Sequence, residues 1–190
     1  MSNVIFQYNQ DMASQAGQGG YVNETGAYNF EITEAKWVVS SNKGTFGMEL
    51  SVESDQGLKA NYLSIWYAKS DNSPIAMGQN MVQAIMGCAG VQQLSSMTKN
   101  DYTVAPELQG KNIGLVLQKI LKTKQDGSDT HSFDIKMPFI SQSGQTIQER
   151  NTGSQAEAVA NMTSWLKDKD ERAQGQQQQG GYDDPYAGGF

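Results

Sequence analysis

One cysteine, one histidine and four prolines in 190 residues exclude several kinds of chemistry at the outset. A lone Cys88 cannot form an intramolecular disulfide, and its place in an apolar run reads as a buried, inert thiol. His131 falls on or near a hairpin with no Cys, Ser or carboxylate motif around it, which reads as an exposed strand-end histidine. No His/Cys spacing suits a metal, and no glycine-rich phosphate loop of the GxxxxGK[ST] kind occurs. The acids are scattered and do not pair in a recognisable motif. The expectation is a protein that is not an enzyme and uses no metal or cofactor. No apolar run approaches the ~20 residues of a membrane span, and Met1 to Gln10 lacks the basic and apolar stretches of a signal peptide. A reducing, cytoplasmic location without membrane partners is therefore expected.

A positive charge excess is also lacking. The formal net charge is -6, from 14 basic and 20 acidic residues, whereas nucleic-acid binders usually leave a basic footprint. The balance differs by segment. Gly26 to Ile140 holds ten lysines, no arginine and eleven acids, whereas Glu149 to Phe190 holds seven acids against four basic residues. Much of the acidity thus belongs to the end of the chain. Single-strand binders draw on stacking and need less charge than duplex binders.

What the sequence does contain is alternation. Residues 1–25 form a polar lead-in in which Val4, Ile5 and Phe6 are candidates to dock on the domain. Residues 26–150 read as a barrel. Tyr28, Phe30 and Ile32 alternate with polar residues, and Ala35, Trp37 and Val39 continue in the other parity, so a bulge is expected near Thr33–Glu34. A turn at Ser41–Gly44 precedes a second strand with Phe46, Met48, Leu50 and Val52 on one face. A third strand runs from Leu58 to Ala68, with Leu63, Ile65 and Tyr67 on one face and Tyr62, Ser64 and Trp66 on the other. Ser73 as N-cap and Pro74 at the first position open a helix that ends by Gly87–Gly90. Val91, Leu94 and Met97 follow without a clear conformation. A fourth strand carries Ile113, Leu115 and Leu117, with a shift to Ile120, and a fifth carries Phe133, Ile135, Met137 and Phe139. Lys122–Thr130 is the polar loop between them. Three strands, a helix and two strands make the order of an OB fold. The expected class is all-β: a five-stranded OB-like barrel with minor helices, the main one between strands three and four. Residues 151–173 read as a helix over Ser154–Arg172, and residues 174–190 as a disordered, Gln/Gly-rich acidic tail.

Two surface features remain. On an OB barrel, strands two and three and their bordering loops form the usual binding face. Tyr62 and Trp66 point away from Leu63 and Ile65, which makes them the foremost stacking candidates, with Trp37, Tyr67 and Phe46 behind them; Phe46 has core parity. Lys36, Lys43, Lys59, Lys69, Lys119, Lys122 and Lys124 are interleaved as phosphate contacts. The competing reading makes the aromatics core and the lysines ordinary solubilising charge. The other feature is the C-terminus, where Asp183, Asp184, Pro185, Tyr186 and Phe190 end a mobile linker with acids and an aromatic anchor.

These residues resemble known families. The ending is similar to that of bacterial single-stranded DNA-binding proteins, although five residues separate Asp184 from Phe190 and no proline adjoins it. The Gly26-Ala27-Tyr28 opening, the Lys43-Gly44 turn and the Asn61-to-Lys69 strand before Pro74 resemble bacteriophage single-stranded DNA-binding proteins of the OB type, over roughly residues 24–140. The resemblance implies protection of exposed strands, with little sequence preference, during phage DNA replication, recombination or repair in the host cytoplasm. It also implies recruitment of replication or recombination enzymes by the tail. One OB domain covers a short stretch of strand, so a homo-oligomer or a cooperative filament is expected. The alternatives are a protein-binding adaptor without DNA affinity and a strand-annealing recombination protein.

Overall fold

Alternating apolar and polar residues make strands, and the lengths of those strands decide how far a sheet can curl. The computed structural model describes residues 19–172, together with 7, 8 and 10. Within 19–172 the strands are β1 (Gly20–Tyr21), β2 (Gly26–Val39), β3 (Phe46–Glu53), β4 (Leu58–Ala68), β5 (Met97–Lys99), β6 (Tyr102–Val104), β7 (Asn112–Thr123), β8 (Asp129–Phe139) and β9 (Lys169–Asp170). The helices are α1 (Ala76–Ala89), α2 (Ile147–Thr152) and α3 (Ala158–Trp165), with a 3₁₀ turn at Pro106–Leu108. The protein is mostly β, a curled half-barrel sheet with few helices.

The long strands lie in the order β4-β3-β2-β7-β8, each antiparallel to its neighbour. β2 runs the whole length of the curl. Its first half pairs with β7 and its second half with β6 along the same edge. The parity switch expected near Thr33 is a register shift between Ile32 and Glu34. It lets Phe30, Ile32 and Ala35 all point inward, where they are buried. Met48, Leu50 and Val52 of β3, Leu63 and Ile65 of β4, and Ile113, Leu115 and Leu117 of β7 complete the core, closed by Ile85 and Cys88 of α1.

β4 and β8 both run in the direction of β2, so the sheet's two long edges approach each other in parallel. Among the described residues no ladder joins them, and the sheet stays open along this seam. β1 pairs with the start of β4, and β9 covers the β7 edge beyond the point where β2 begins.

Several boundaries differ from the sequence expectation. α1 starts at Ala76 with Ile75 in the cap position, so Ser73 and Pro74 do not open it. Lys69 and Ile75 donate backbone hydrogen bonds to Ser73 and Tyr67, and Pro74 bridges Ala68. This hairpin keeps the Ser-Pro step extended. The segment after α1 contains the short β5–β6 hairpin, turning at Asn100 with φ +57°. The expected loop at Lys122–Thr130 is shorter, because β7 reaches Thr123 and β8 begins at Asp129. The helix expected over Ser154–Arg172 is confined to Ala158–Trp165. Gln118 then accepts the chain by donating to the Lys167 carbonyl, and the chain continues as β9. Backbone N–H groups of Thr146, Ala158 and Glu157 converge on the Glu149 carboxylate, join α2 to α3 and hold this carboxyl down at about 2.

α1 meets β4 backbone to backbone at Gly78, where an added Cβ would lie 1.8 Å from the Trp66 carbonyl oxygen. Gly78→Ala should force the helix off the sheet and destabilise the protein by about 2 kcal/mol or more. A urea unfolding midpoint equal to that of the wild type would contradict this packing.

Candidate functional site

On β4 the outward positions hold two exposed aromatic side chains, Tyr62 and Trp66. Two β4 residues, Asn61 and Tyr62, stand opposite Ser51 alone, because the register shifts between Leu50–Leu63 and Val52–Ala60. Tyr62 takes a left-handed conformation at this bulge, with φ +61°. That region costs a bulky L-residue roughly 1–2 kcal/mol, which the surrounding ladder must offset. The outcome is a ring 76% exposed to solvent. Four residues on, Trp66 is 37% exposed and pairs across to Gly47. Its indole lies on that glycine so closely that a Cβ at position 47 would come within 2.6 Å of the ring. Gly47 thus provides a flat seat that orients Trp66.

Both rings line the open seam. One groove of about 410 Å³ is bounded by Tyr21, Lys59, Tyr62, His131, Ser132 and Phe133. A second, of about 400 Å³, is bounded by Ser64, Trp66, Met77, Met81, Asp134 and Lys136. The two grooves take successive residues of β4 and of β8, so they follow one another along the seam. His131 stacks edge-to-face on Phe133 at 5.5 Å. The lysines within the grooves are partnered: Lys59 lies 3.7 Å from Glu53, and Lys136 lies 3.3 Å from Asp134. Both are exposed ion pairs that a phosphate can compete for.

The structure divides the residues singled out from the sequence. Lys59, Tyr62 and Trp66 share the seam. Lys69 follows β4 at the Trp66 end, where the Gly44 turn touches Ser70, so Lys43 reaches the same end. The turn before β8, with Lys122 and Lys124 on its β7 side, lies at the opposite end. Trp37, Phe46 and Tyr67 have inward parity and gather elsewhere, Trp37 and Tyr67 beside α1 and Phe46 in the adjoining groove. Lys36 is held 3.0 Å from Glu34 and lies over the Tyr102 ring. Burial pushes the Glu34 carboxyl up, but hydrogen bonds from Tyr102, Lys36 and Lys99 outweigh it and hold the group below its usual range. Lys119 donates to the backbone and side-chain oxygens of Asn23. Lys36 and Lys119 are therefore engaged in the fold. Asp183, Asp184, Pro185, Tyr186 and Phe190 lie outside the described residues.

Tyr21, Met77, His131, Phe133 and Lys136 line the seam and are not among the binding residues expected from the sequence. Alternation on the fifth strand marked Phe133 only as core. For His131 and Lys136 the missing signal was the approach of β8 to β4, a contact with no trace in local periodicity.

No helix among the described residues is long and apolar enough to cross a membrane. No protein-family model matches the chain, and no curated protein matches it.

If the left-handed conformation of Tyr62 is kept for the placement of its ring, glycine should relieve it at no cost in stability. Tyr62→Gly should unfold at the wild-type urea midpoint or above it, a gain of about 0.5 kcal/mol. A clear loss of stability would show that the ring itself holds the fold.

Proposed function

We propose that the protein binds and protects single-stranded DNA, with the strand lying along the β4–β8 seam. The observation that carries this reading is the pair Tyr62 and Trp66. One is held outward at a strained bulge and the other is seated flat on a glycine, on the same strand and beside the same groove. Exposed, oriented aromatic faces are what sequence-tolerant stacking on bases needs. Bases stack on Tyr62 and Trp66, with Phe133 and His131 as the facing wall. Phosphates exchange with the carboxylates that hold Lys59 and Lys136, while Lys43, Lys69, Lys122 and Lys124 bracket the ends.

The order of the five long strands, with α1 between the third and fourth, supports an OB-type barrel. With the sequence resemblance, it favours a role in phage DNA replication, recombination or repair in the host cytoplasm. The C-terminal residues Asp183 to Phe190 are proposed to recruit partner enzymes, on the strength of their sequence alone. Side-by-side copies on one strand would extend the short stretch a single domain covers.

Because the seam's cations are few and already paired, stacking should dominate and salt dependence should be shallow. Titrating a fluorescently labelled dT oligonucleotide by anisotropy should show Tyr62→Ala and Trp66→Ala each weakening binding about tenfold. The slope of log affinity against log salt should be about −2, as for about three phosphate contacts on single-stranded DNA. Absence of binding at low salt would remove the DNA reading and favour a protein-binding adaptor.

A further inference from the structure

α1 divides the aromatic surface in two. On the side away from the seam, Trp37 and Tyr67 meet edge-to-face at 5.8 Å, inside a groove of about 400 Å³ bordered by Gln79, Asn80, Val82 and Gln83. A neighbouring groove shares both rings and adds Val39, Phe46 and Thr103. No charged side chain lines either one. This distinguishes the place from the seam, where Lys59 and Lys136 are present.

The groove is built rather than incidental. Trp37 donates its indole N–H to the Ser95 carbonyl at 3.1 Å. Ser95 is held in turn by Glu107, which accepts hydrogen bonds from both its backbone N–H and its hydroxyl. The indole is therefore tied at its N–H to an anchored turn. Gln79, Asn80 and Gln83 are exposed and make no side-chain hydrogen bond among the described residues. An aromatic wall facing exposed carboxamides, with no charged side chain in the described lining, suits a planar, uncharged heterocycle that both donates and accepts hydrogen bonds. A phosphate finds nothing here, and a purely aliphatic side chain would leave the amides unused.

We propose that this groove takes a single unpaired nucleobase, stacked on Trp37 and Tyr67 and hydrogen-bonded along its edge by Asn80, Gln79 and Gln83. The inference rests on the single-strand reading and adds a second contact point across α1. The strand is then held by stacking at the seam and by edge contacts at α1, so the protein discriminates weakly among bases at one position.

The test uses the full chain, a dT oligonucleotide of twelve residues carrying 5-iododeoxyuridine, and a triple variant Gln79→Ala, Asn80→Ala, Gln83→Ala. These exposed helix positions tolerate alanine, so the variant should fold. Ultraviolet crosslinking of the wild type, read residue by residue, should mark Tyr62 or Trp66 at the seam and, separately, Trp37 or its β4 neighbour in the groove, Tyr67. The triple variant should bind about fivefold more weakly, as for the loss of one or two hydrogen bonds, and should lose the Trp37 or Tyr67 crosslink. Crosslinks confined to Tyr62 and Trp66, with none at Trp37 or Tyr67 and affinity unchanged in the triple variant, would overturn the inference and leave the seam reading intact. No binding by the wild type would overturn both. A dimer in sedimentation that the triple variant abolishes without weakening DNA binding would assign the groove to a second copy of the chain and also overturn it.

Discussion

The contact between Gly78 of α1 and the backbone of β4 at Trp66 sets the position of every surface discussed above. A half-barrel whose long edges do not join leaves its core open at the seam and at one end. α1 closes that end with Ile85 and Cys88, and it can do so only because Gly78 has no side chain to hold it away. Once seated, the helix puts Met77 and Met81 beside Trp66 on one flank and Gln79, Asn80 and Gln83 beside Trp37 and Tyr67 on the other. One glycine therefore determines that there are two aromatic grooves of different polarity instead of one broad patch.

Electrostatics follow from the same arrangement. A chain of net charge -6 cannot hold DNA by a general positive field. Its lysines are used locally. Lys36 and Lys99 share Glu34, Lys59 faces Glu53, and Lys136 faces Asp134. Such exposed pairs contribute little to stability, so exchanging a carboxylate for a phosphate costs little. On the proposed reading, the energy that holds a strand comes from ring faces already oriented, by a bulge at Tyr62 and by a glycine under Trp66.

Much of the architecture was legible in the sequence, because period-two alternation reports burial directly. The strands from Gly26, Phe46 and Leu58, the parity slip at Thr33–Glu34 and the opposite faces of Tyr62 and Tyr67 could all be read in this way. The helix start could not. Ser73-Pro74 has the composition of a cap, but its backbone is engaged by the hairpin to Tyr67 and Lys69, a tertiary demand that local preference does not contain. β5 and β9 are three and two residues long and wholly exposed, so no alternation marks them. The candidate site was half legible. Outward parity singled out Tyr62 and Trp66, but the same rule could not show that Trp37 and Tyr67 lie across a helix from them. Nor could it show that His131 and Lys136 come from the far edge of the sheet.

The central claim is that the Trp66 face of β4 contacts bases. It is tested most directly by a chain in which Trp37 and Trp165 are changed to Phe, leaving Trp66 as the one indole. Saturable quenching of its emission by unlabelled poly-dT, with the folded far-ultraviolet dichroism retained, is the predicted result. Emission that stays unchanged while the oligonucleotide binds would contradict the account and move the contact off β4.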